Sequence, residues 1–147
     1  MKKRCIKSLS IAVMFMLCIN TVCFAGNYYA MIAHKSKNNN YLIRLIKCSN
    51  ETICKQVLEI KSIDLDSNWK FAEGECLSGK QYDSMYRAVF NKQPVSEPYI
   101  YFIDENNLPT VLKFMDISPF LVDIMINKWA KALKNQGAKG ITIIRAK

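Results

Sequence analysis

A single histidine, five glycines and four prolines in 147 residues leave little material for several common designs. Collagen-like repeats, coiled coils and disordered tracts all need a different balance, because half of the residues are apolar. The nucleophile elbow G-x-S-x-G, the zincin H-E-x-x-H, the dinucleotide G-x-G-x-x-G and the Walker sequence are missing. Asp64-Leu-Asp66-Ser-Asn68 sets oxygen ligands on alternate residues, but it lacks the glycine and the closing glutamate of an EF-hand. A Cys–His nucleophile, or a Cys₃His zinc site with Cys48, Cys54 and Cys76, would have to use His34. Neither has a local signature or C-x-x-C spacing, so His34 reads as a surface residue at a strand end. No metal and no cofactor are expected.

Acidic residues are also scarce, 12 against 21 basic ones, for a net charge of +9. Lys2, Lys3, Arg4 and Lys7 supply four of the positives with no acid among residues 1–25, which leaves 17 bases against 12 acids, or +5, for the rest. No cluster of four basic residues follows residue 25, so nucleic acid is not an expected partner; an acidic protein or an anionic surface is compatible with the charge. No later apolar run reaches the roughly 20 residues needed to cross a bilayer.

What is present begins with an export signal. Lys2-Lys3-Arg4 precedes the apolar run Ile11–Ile19, and Cys23-Phe24-Ala25 offers small residues at the positions a signal peptidase reads. Residues 1–25 are expected to be a cleaved signal peptide and residues 26–147 a single domain, periplasmic or secreted. The short basic start and the Lys/Asn/Ile-rich composition point to a bacterium.

In the remainder the hydrophobic period alternates between strand and helix. Strands are expected over Asn27–His34, Tyr41–Lys47, Asn68–Ala72, Tyr99–Ile103, Thr110–Met115 and Ile141–Ile144. Helices are expected over Glu51–Ile60, with Asn50 as N-cap, over Lys80–Phe90, and over Ser118–Gln136, where Ser118 can cap and Pro119 suits the first turn. The result is one α+β domain with a central mixed sheet and about three helices. No internal repeat or domain linker is visible.

Cys5, Cys18 and Cys23 leave with the signal, so Cys48, Cys54 and Cys76 remain, and in an oxidising compartment two of them should pair. Cys48–Cys54 closes a short strand-to-helix turn; Cys54–Cys76 and Cys48–Cys76 close longer loops. One thiol is left over in every case. A cysteine beside a helix N-terminus has a stabilised thiolate, which makes redox chemistry the functional alternative to a structural staple.

The order strand, cysteine turn, helix, short strand, helix, Pro98, hairpin and helix resembles the thioredoxin-like fold over about 95 residues. The resemblance implies a central sheet of parallel and antiparallel strands with helices on both faces, and thiol–disulfide exchange by Cys48 and Cys54. The departures are the spacing of Cys48 and Cys54, wider than C-x-x-C, the lack of a tryptophan before Cys48, and the additional Cys76.

The loop acids Asp64, Asp66, Glu73, Glu75, Asp104 and Glu105 form no recognisable catalytic pair. Phe120-Leu-Val-Asp-Ile-Met-Ile126 is apolar almost all round, more than one buried helix face requires. Phe120, Leu121, Ile124 and Met125 are therefore the candidate partner-binding residues, for another protein or a second copy of the chain. The function expected is that of a small, non-catalytic binding or accessory protein of the bacterial envelope: an inhibitor or immunity factor, or part of a secretion or conjugation apparatus. Thiol–disulfide exchange is the alternative.

Overall fold

The structure, a computed structural model, describes residues 26–147, so the expected signal peptide lies outside the described residues. Its elements run β1 (Tyr28–Ser36), β2 (Tyr41–Cys48), α1 (Glu51–Lys61), β3 (Trp69–Ser78), α2 (Gly79–Phe90), β4 (Tyr99–Ile103), β5 (Pro109–Met115), α3 (Pro119–Asn135) and β6 (Lys139–Ile144). The strands form one sheet in the order β3-β1-β2-β5-β4-β6, and every neighbouring pair is antiparallel. The α+β class stands; the mixed sheet does not. After a hairpin and a helix, β3 runs in the direction of β2. It would be parallel to β2 as a neighbour, but it pairs with β1, which runs the other way.

Two ββαβ halves, β1-β2-α1-β3 and β4-β5-α3-β6, meet at the β2–β5 pair. Laying one hairpin on the other puts Ile32 on Ile100, His34 on Phe102, Leu42 on Thr110 and Arg44 on Leu112. Details repeat with the topology. Each hairpin turn ends on an asparagine in the left-handed region, Asn39 at φ 61° and Asn107 at φ 60°. Each turn is closed by one side-chain oxygen accepting two backbone N–H bonds: Ser36 Oγ from Asn38 and Asn40, Asp104 Oδ1 from Asn106 and Leu108. The helices start at matching caps, Asn50 and Ser118. The outer strands β3 and β6 both break register, opposite Ala33–His34 and Tyr101–Ile103. At the second break Gly140 sits at φ +59°, the left-handed position that a bulge of this kind assigns to glycine. Arg44 and Leu112 face each other in the β2–β5 register, so the local two-fold passes between them.

Alternation then decides the two faces. Ile32, Ile46, Ile100, Leu112 and Phe114 point to the face that carries α1 and α3; Tyr29, Leu45, Tyr99 and Val111 point to the face that carries α2. Asn50 Oδ1 accepts from the Ile53 N–H at 2.9 Å, starting α1 as expected. At α3 the proline takes the first turn, but Ser118 makes no side-chain cap bond. The junction of β3 and α2 requires glycine: a Cβ on Gly79 would lie 2.2 Å from the Asn27 carbonyl oxygen.

Candidate functional site

The cysteines settle first. Cys54 on α1 bonds Cys76 on β3, with 6.0 Å between their Cα atoms. Among the described residues Cys48 is the free thiol and is buried, packed with Ala30, Ile46 and Val57. Burial raises its pKa, so it stays a thiol rather than a thiolate. Of the three pairings open in the sequence, the structure makes the one that ties α1 to the outer strand. In the second half Arg145, just past β6, pairs with Asp123 of α3.

The apolar segment of α3 divides as a helix should. Val122 and Ile126 are buried and Met125 is half-buried against the core. Phe120, Leu121 and Ile124 are left in solvent, 77%, 47% and 53% exposed. The repeat supplies an internal comparison. The equivalent positions on α1 are Thr52, Ile53 and Gln56, with Thr52 and Gln56 exposed and Ile53 half-buried. The fold is therefore satisfied with polar side chains at two of these three positions, those of Phe120 and Ile124, which folding does not require to be apolar.

Beside this ridge, α3 and the α1–β3 loop enclose a cleft of about 490 Å³. Its walls are Leu65, Asp66, Asn68 and Trp69 on one side and Ile124, Met125, Lys128, Trp129 and Gln136 on the other, and Arg44 forms its floor. Phe114 bridges the two indoles, its ring 6.3 Å from that of Trp69 and 6.4 Å from that of Trp129. Arg44 belongs to the inward register of β2, between Leu42 and Ile46. Its Nε is sequestered with no hydrogen-bond partner, and none of the ion pairs among the described residues uses it. Burial depresses its pKa, opposed by the fields of Glu105 and Asp104; the guanidinium nonetheless stays charged. The residue in the equivalent place in the other half is Leu112, wholly buried.

His34 is not the surface residue its position suggested. It is completely buried on the same sheet face as Arg44. The Ile63 carbonyl accepts from its Nε2 at 2.9 Å, which assigns the proton to Nε2 and leaves Nδ1 buried and unpaired. Desolvation lowers its pKa, the Ile63 bond opposes this, and the Arg44 field adds to the lowering. A lowered folded-state pKa means the unfolded chain binds the proton more readily, so stability is full above about pH 6.5 and is lost as pH falls below it. Urea titrations on either side of that value should show the loss in the wild-type protein. His34→Gln keeps a donor for Ile63 and should flatten the profile there; carboxylates act only at lower pH.

The aspartates among the loop acids accept from backbone N–H groups, and Glu105 pairs with a lysine. Asp64 accepts from the Phe71 N–H and pairs with Lys70, Asp66 accepts from Asn68 and Trp69, and Glu105 pairs with Lys61. Among the described residues no group of three metal-ligating side chains comes together, and no helix is long and apolar enough to cross a membrane. Asp104, read from sequence as one of several loop acids, is 4% exposed and closes its hairpin turn.

No protein-family model, curated protein or solved structure matches the chain. The site therefore rests on its own geometry. Of the residues singled out in sequence, Phe120, Leu121, Ile124 and Met125 gather on α3, and Ile124 and Met125 also line the cleft; Cys48, Cys54 and Cys76 lie in a separate cluster under α1. Arg44, Trp69 and Trp129 enter only with the structure. A signal for Arg44 was present: it is the one charge in the run Tyr41–Ile46, at a position whose period-two neighbours are both apolar.

Proposed function

We propose that this is a non-catalytic protein-binding protein of the bacterial envelope, exported through residues 1–25 and stapled by one disulfide. It acts as an inhibitor, immunity factor or secretion accessory by docking a partner on α3. The observation that carries the reading is the ridge of Phe120, Leu121 and Ile124, all exposed, where the equivalent helix of the same fold shows exposed Thr52 and Gln56 and a half-buried Ile53. An aromatic and two aliphatic side chains beside a concave floor have the composition of an interface anchor. Lys128, Lys131 and Lys134 farther along α3 favour a partner with an acidic surface.

The test compares wild type with a Phe120→Ser, Leu121→Ser, Ile124→Ser triple variant. Exposed positions leave folding stability within about 0.5 kcal/mol per site. A partner captured from envelope extract at fixed stoichiometry should lose affinity by roughly 30-fold or more for each anchor removed. Retention of that partner by the triple variant would overturn the assignment. Sedimentation of the purified protein separates a foreign partner from a second copy of the chain.

A further inference from the structure

Arg44 is the least economical residue in the sheet. The local two-fold sets it against Leu112, so an aliphatic side chain demonstrably suits this place in the fold. An arginine put there must be desolvated, and in most proteins such a group is compensated by a carboxylate partner. Here no hydrogen bond satisfies Nε. Of the two acids whose fields favour its charge, Glu105 pairs with Lys61, and Asp104 gives Oδ1 to its own turn while its Oδ2 is buried without a partner. Arg44 floors a cleft open to solvent, lined also by Lys128, Asn68 and Gln136 and by Asp66, whose Oδ1 is taken by the backbone N–H groups of Asn68 and Trp69. The other walls are apolar or aromatic. A planar donor in a low-dielectric recess selects a planar acceptor pair, and aromatic walls select an apolar group next to it.

We propose that the cleft is a carboxylate-recognition pocket in which Arg44 receives a carboxylate of the docking partner while an adjacent aliphatic side chain packs against Trp69, Met125 and Trp129. The proposal rests on the protein-binding reading and names the chemistry of the partner: a C-terminal carboxylate, or an acidic side chain, next to an aliphatic residue. The ridge supplies apolar area and the pocket supplies selectivity, since a partner without the carboxylate would leave Arg44 buried and unpaired.

Both tryptophans of the chain line the pocket, so their emission and indole N–H resonances report on it directly. Three probes distinguish the sources: N-acetyl-leucine presents a terminal carboxylate, N-acetyl-leucyl-glutamate α-amide a side-chain carboxylate, and N-acetyl-leucinamide none. At least one of the acids should move the indole and Arg44 Nε–H resonances, and the neutral amide should bind about tenfold more weakly or worse. Arg44→Met should abolish the preference for acid over amide; if that variant fails to fold, the comparison of acid and amide in wild type decides alone. Equal binding of acid and amide, or no acid moving the Arg44 resonance, would sink the pocket. A Phe120→Ser, Leu121→Ser double variant, whose two positions lie outside the cleft lining, should bind the acids normally, so a failure of the protein-binding reading shows up as an intact pocket in a protein that captures no partner.

Discussion

Replacing Cys54 and Cys76 together by serine should lower the unfolding free energy by about 3 kcal/mol, the loop-entropy value for a cross-link that spans 22 residues. The unfolded chain bears most of that effect, because without the bond α1 and β3 are joined only through the loop between them. The measurement is urea unfolding of the double variant against wild type, with dithiothreitol-treated wild type expected to match the variant. In the oxidised native protein Cys48 should resist alkylation by iodoacetamide until the protein unfolds, because it is buried and its pKa is raised. A thiol-exchange role for Cys48 and Cys54 would require the reverse: a Cys54 sulfur readily released from Cys76 and a reactive Cys48. Insulin-reduction rates equal to background in both wild type and Cys54→Ser would retire that role.

The second large effect separates the two sides of α3. Ile126 is completely buried beneath the helix, and Ile126→Ala should cost about 2–5 kcal/mol by removing methyl groups from a packed core and leaving a cavity. Ile124, two residues earlier and 53% exposed, should change stability by no more than about 0.5 kcal/mol on truncation. Its truncation is felt in partner capture instead. Thermal melts of the two variants beside binding of the same partner give a crossed result: one loses stability and the other loses affinity. Equal destabilisation would mean that the outward residues of α3 contribute to the core after all.

Local signals located most of the elements. The hairpin Tyr99–Met115 was legible from alternating β-formers around a turn of Asp, Asn and Pro, and the helix starts from Asn50 and Pro119. β3 was read four residues beyond Asn68 and in fact continues to Ser78. Glu73-Gly74-Glu75 looks like a loop because one side of this outer strand is in solvent, while on the other side glycine eases a tight approach, where a Cβ would stand 3.2 Å from the Leu58 side chain of α1. The errors at His34 and Asp104 share a cause. Burial of a polar side chain depends on what another segment lays over it, here the Ile63 carbonyl and the packing of the hairpin turns. The repeat is hidden in the sequence because equivalent positions hold different chemistry: Ser36 and Asp104 close the same turn, and Cys54 of the disulfide is matched by Val122. The ridge residues were legible as an excess of apolar side chains on one helix. Arg44 was not, since its importance lies in what is missing around it in three dimensions.

The interruptions in β3 and β6 reach beyond local geometry. An outer strand with an uninterrupted row of free amides invites another molecule to add itself, and then another, without limit. Here each lateral margin of the sheet carries an extra residue that spoils the spacing, beside Glu73 on one margin and Lys139 on the other. Growth into filaments by strand addition is thereby discouraged from both sides.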